Sequence, residues 1–122
     1  MPAVEITQEQ KAKLDKYREE CKQQSNVDVE ILKKMREGVF TDDPKLKEFL
    51  LCVSKKAGFQ NEAGEVQQDV IVEKLGHAMS DEEKAKKLIE KCGTQEGSPA
   101  GVVFKVVKCL YDSTPNHIVI IH

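Results

Sequence analysis

Two dipeptides in this chain, Asp43-Pro44 and Ser98-Pro99, set a capping side chain directly ahead of a proline and a long apolar run. The side-chain oxygen can accept a hydrogen bond from the first turn. Proline suits the first helical position because that N–H has no partner inside the helix anyway. The runs behind both pairs keep a helical period. After Pro44, Leu46, Phe49, Leu50, Val53 and Ala57 share one face with Cys52 beside it, and Lys55 and Lys56 complement the helix dipole before Gly58 stops the run. After Pro99, Val102, Val103, Val106, Val107 and Leu110 form a broad apolar face flanked by Phe104 and Cys109, ending about Tyr111. Valine has a low intrinsic helix propensity, so packing on most sides must hold this last helix.

The remaining segments read the same way. Thr7-x-x-Gln10 is a capping box that opens a helix to about Gln24, with Ala12, Leu14, Tyr17 and Cys21 as a sparse stripe. Asn26 and Asp28 can cap a second helix through Val29, Ile31, Leu32 and Met35, ending near Gly38. A fourth helix is expected over about Glu65 to His77. Its run Val70-Ile71-Val72 also suits a strand, but no strand-like partner lies nearby. Ser80-x-x-Glu83 is a second capping box, opening a helix from Asp81 to Lys91 that buries Ala85, Leu88, Ile89 and Cys92 and stops at Gly93. The expectation is a single all-α domain over residues 1–122, about six short helices, with 113–122 as an apolar tail.

Composition excludes several function classes. The net charge of −2 gives no basic face for nucleic acid, and no run of apolar residues is long enough to span a membrane. Aromatics make up 5% of the chain, so Leu, Val and Ile must build the core with Phe40, Phe49, Phe59 and Phe104 as large fillers. The carboxylates, as in Asp81-Glu82-Glu83, sit among lysines on solvated faces, and no phosphate loop or nucleophile–base constellation stands out. The chain reads as a non-enzyme without a cofactor. The opening Met1-Pro2-Ala3-Val4-Glu5 is not a signal peptide, which leaves a cytosolic protein or a mature secreted chain begun on an initiator Met.

The four cysteines, Cys21, Cys52, Cys92 and Cys109, include no C-x-x-C pair and have no histidine beside them, which argues against zinc. Four cysteines allow three disulfide pairings, and four free buried thiols in a cytosolic interaction module are the plain alternative.

Their placement is more specific. They stand near the end of the first helix, inside the third, at the end of the fifth and near the end of the sixth. With Arg36-Glu37-Gly38-x-Phe40-x-Asp42-Asp43-Pro44 and Lys108-Cys109-Leu110-Tyr111, this resembles the insect odorant-binding protein family over about Thr7 to Asp112. The usual family pattern has six cysteines, the third lying four positions after the second and the sixth nine after the fifth. Here Glu48 stands four before Cys52 and Ala100 nine before Cys109, so the second and fifth cysteines are absent. Those two are bonded to each other in the family. Loss of one bonded pair resembles the four-cysteine "Minus-C" subgroup.

The resemblance implies bridges Cys21–Cys52 and Cys92–Cys109, each worth roughly 3–4 kcal/mol in the chain-entropy account. It also implies a wet Glu48 and more mobility between the third and sixth helices than six-cysteine relatives have. It implies a secreted carrier of odorants, pheromones or lipids, monomeric or weakly dimeric, with a small hydrophobic ligand and a membrane chemoreceptor as partners, or a carrier in haemolymph or a gland. On residues alone the apolar faces are ordinary core. The resemblance instead sets Phe49, Leu50, Val53, Val70, Leu75, Met79, Leu88, Val103, Val106, Val107, Leu110 and Tyr111 around a central cavity.

The tail Ile118-Val119-Ile120-Ile121 would serve as a lid, with Ile118 and Ile120 inward or the other two if the register slips. His77, His117 and His122 read as solvated surface residues, although parts of the family release ligand on acidification and His117 flanks the tail. Tyr17, Ser54, Lys74 and Tyr111 are candidate polar handles, Tyr111 first.

Overall fold

The computed structural model describes residues 8–114, as six helices: α1 (Gln8–Ser25), α2 (Val29–Arg36), α3 (Pro44–Ala57), α4 (Gln68–Met79), α5 (Glu82–Cys92) and α6 (Pro99–Ser113). Among the described residues, extended pairing is confined to one isolated bridge between Gln60 and Val66. Thr7 and the segment 115–122 lie outside the described residues, and with them the first capping box, His117, His122, Ile118 and Ile120.

The two cap-and-proline starts form as the sequence requires. Asp43 accepts from the Lys45 N–H at 2.7 Å with Pro44 next, and Ser98 accepts from the Gly101 N–H at 3.1 Å with Pro99 next. Asp28 caps α2, accepting from Glu30 N–H at 2.8 Å. Asn26 closes α1 instead, in the left-handed region at φ 58°, which asparagine tolerates better than most residues.

Two boundaries differ from the reading of the sequence. Helix α4 starts at Gln68, not near Glu65, because backbone pairing takes the preceding residues. Asn61 N–H donates to Glu65 O at 3.0 Å and Gln67 N–H to Phe59 O at 2.8 Å, so 59–67 forms a pinned turn. Helix α5 is capped by Asp81, whose carboxylate accepts from Lys84 N–H at 3.0 Å. Ser80 takes a left-handed conformation at φ 54° to close α4, which removes it from the extended geometry that an N-cap needs.

Helix α3 packs against α1 and α6, and α5 packs against α4 and α6. Phe49, Leu50 and Val53 of α3, Ile71 and Leu75 of α4, Leu88 and Ile89 of α5 and the valines of α6 share one buried cluster. Disulfides join Cys21 to Cys52 and Cys92 to Cys109, and none of the four cysteines is free. That removes the free-thiol alternative. The bridges tie α1 to α3 and α5 to α6, so the α3–α6 contact rests on packing. Glu48 is exposed and Ala100 half-buried.

Candidate ligand site

The interior hollow of this fold lies between α3, α4 and α6. Its walls are Ser54, Phe59, Gln60, Val66, Ile71, Val103, Val106 and Val107. Each element brings its share for a local reason. The i, i+3, i+4 spacing of Val103, Val106 and Val107 sets them on one α6 face. Gly58, at φ 84°, ends α3 and turns the chain so that Phe59 and Gln60 fold back beneath Ser54. The Gln60–Val66 bridge then brings Val66 to the same place, and α4 contributes Ile71.

The space is small, about 10 Å³, which is the room that one water needs. The core is packed around this partly open hollow. Six of the eight wall residues are apolar and none is charged. The two polar ones are buried, and neither the Ser54 Oγ nor the Gln60 Oε1 has a hydrogen-bond partner.

Of the residues expected around a cavity, Val103, Val106 and Val107 line this one, as does Ser54 from the candidate polar handles. Phe49, Leu50, Val53, Leu75, Leu88 and Leu110 are buried in the surrounding core. Val70 and Met79 are half-buried at its edge. Tyr111 is half-buried too. Its ring lies 5.5 Å from that of Phe40 and against Gly38, and neither of those residues lines the void. Tyr17 is half-buried, Lys74 is exposed with its ammonium 5.5 Å from the Phe59 ring centre, and His77 is exposed.

Phe59, Gln60, Val66 and Ile71 also line the void, beyond the residues that the sequence points to. Ile71 belongs to the same apolar run as Val70, which the sequence does point to. Gln60 carries no such signal, because nothing in a loop glutamine's neighbours announces burial.

A second hollow, about 660 Å³, is an open surface groove between the α1–α2 turn and the start of α3, edged by Asp28, Asp43 and Lys45 together with Val27, Val29 and Ile31. Among the described residues no group of His, Cys, Asp or Glu is arranged to hold a metal ion, and no helix is long and apolar enough to cross a membrane.

A model of the PBP/GOBP family matches residues 3–113. The chain is 39% identical to the B1 protein of Tenebrio molitor over 111 residues, covering 91% of this chain and 85% of that one. It is 33% identical to Odorant-binding protein 10 of Aedes aegypti, over 76% of this chain and 67% of that protein. Among solved structures it is similar to the fatty acid binding protein OBP56a from the oral disk of the blowfly Phormia regina, with 32% identity, 89% of this chain and 95% of that chain covered, and a TM-score of 0.70.

Proposed function

Because this chain belongs to the PBP/GOBP family, we propose that it carries a small hydrophobic molecule, an odorant, pheromone or lipid, within its helical core. The observation that carries this reading is the apolar void bounded by α3, the 59–66 turn, α4 and α6. A ligand enlarges it by moving side chains. Helix α6 suits that, since its valines gain little from helix propensity and hold by packing. Burying about 300 Å² of apolar ligand surface at roughly 25 cal/mol per Å² is worth about 7 kcal/mol, enough for micromolar-range binding without ion pairing.

On this reading Phe59, Val66, Ile71, Val103, Val106 and Val107 touch ligand first. Phe49, Leu50, Val53, Leu75, Leu88 and Leu110 become wall as the space grows. The protein acts by binding and release and catalyses nothing. Two structural disulfides suit a secreted protein in an oxidising compartment. Among the described residues Val29 and Val39 are the exposed large hydrophobics, too little for an obligate dimer face, which supports a monomer or weak dimer. Delivery would be to a membrane chemoreceptor.

Displacement of bound N-phenylnaphthylamine from delipidated protein tests the reading. Twelve-carbon amphiphiles should displace the probe at micromolar concentration. Protein that binds neither the probe nor any such chain would not be a carrier.

A further inference from the structure

We propose that Gln60 is the specificity-determining residue of the interior site, and that its side-chain oxygen selects apolar ligands bearing a hydrogen-bond donor, above all an alcohol. This rests on the carrier reading and adds the chemistry of the ligand's polar end.

Gln60 is 2% exposed, and only the nitrogen end of its amide is satisfied. The Nε2 group donates to Gly64 O at 2.9 Å and to Pro99 O at 3.0 Å. The reversed amide would set its oxygen against two carbonyl oxygens, so the network fixes the orientation. Oε1 is then the atom without a partner, on a residue that lines the void. It cannot easily swing away. The Gln60 backbone is bridged to Val66, and Gly64 sits so close to Pro99 that a Cβ on it would lie 2.5 Å from the ring.

Ser54 lies on the same wall, 1% exposed, with its hydroxyl also unpartnered. The two atoms differ in what they accept. A serine hydroxyl can donate or accept and so discriminates little, whereas an amide oxygen only accepts. A ligand hydroxyl that enters between them would donate to Gln60 Oε1 and accept from Ser54 Oγ, satisfying both. A ketone, aldehyde or ester offers Gln60 only another acceptor and leaves its oxygen desolvated. A carboxylate does the same and meets no cation, since no wall residue is charged.

The test is competition for N-phenylnaphthylamine among three ligands: a secondary dodecanol, the ketone of the same carbon skeleton, and dodecanoate at a pH where it is ionised. Alcohol and ketone have nearly equal volume, so hydrogen bonding separates them. On the wild-type protein the alcohol should bind about tenfold tighter than either of the others, as expected for one buried acceptor left unmet. Gln60→Met should bring alcohol and ketone within about twofold, while Ser54→Ala should weaken the alcohol and keep the ranking. Equal affinities on wild-type protein overturn the proposal and leave the carrier reading standing. So does a folded Gln60→Met protein that keeps the tenfold preference. Failure of all three ligands to displace the probe overturns both. The wild-type comparison holds even if Gln60→Met does not fold.

Discussion

The side chain of Gln60 donates to the backbone carbonyl of Pro99 at 3.0 Å, across 39 residues of chain. This one bond fastens the turn after α3 to the first residue of α6. It is reinforced by Gly64, whose φ of 86° lets the turn fold onto the Pro99 ring. The two contacts together set the floor of the interior void.

Gly64→Ala attacks that fastening directly. The new methyl group requires a left-handed backbone at a non-glycine residue and drives into Pro99. A loss of about 2–3 kcal/mol is expected from backbone strain and overpacking combined. Chemical denaturation should show a lower midpoint with an unchanged slope. An unaltered midpoint would mean that the turn is not fastened as described.

A second close approach joins the α2–α3 connection to α6. Gly38, at φ 94°, has room for no side chain, since a Cβ would lie 2.5 Å from the Tyr111 phenol oxygen, and Tyr111 is held edge-on by Phe40. Gly38→Ala should cost about 2 kcal/mol in the wild type but only about 1 kcal/mol in a Tyr111→Ala background, where backbone strain alone remains. A double-mutant cycle read by denaturation gives the coupling. Strict additivity would show that the Gly38–Tyr111 contact carries no energy.

The bridges differ in the length of chain that they close. Cys21–Cys52 spans 31 residues and Cys92–Cys109 spans 17. Replacing either pair with serine should cost about 3–4 kcal/mol, the first slightly more than the second because the longer loop gains more freedom when unfolded. Both variants compared by urea unfolding at fixed protein concentration would reverse that order only if native-state strain outweighed loop entropy.

These predictions rest on features of unequal legibility. The helices that start on Asp43-Pro44 and Ser98-Pro99 were readable because cap, proline and apolar period all agree. The pairing of the cysteines came from their placement relative to helix ends, through resemblance, where counting alone left three choices. Ser80 departs from its capping-box pattern because two helices meet there, and a residue that closes one in a left-handed turn cannot also cap the next.

The site itself was half legible. Val103, Val106 and Val107 follow from helical period. Gln60 becomes an interior residue only once Gly64 and Pro99 are brought to it, a contact between distant segments that periodicity does not encode.

Binding in the core is tested most directly by where a bound ligand sits. Carbon-13 methyl spectra of the protein, assigned at the valine and isoleucine positions, should be titrated with the secondary dodecanol. Binding in the core predicts large shifts at Ile71, Val103, Val106 and Val107 that saturate together, with Val29 and Ile31 nearly unmoved. Saturable shifts confined to Val29 and Ile31 would place the ligand in the surface groove between the α1–α2 turn and α3, and would contradict binding in the core.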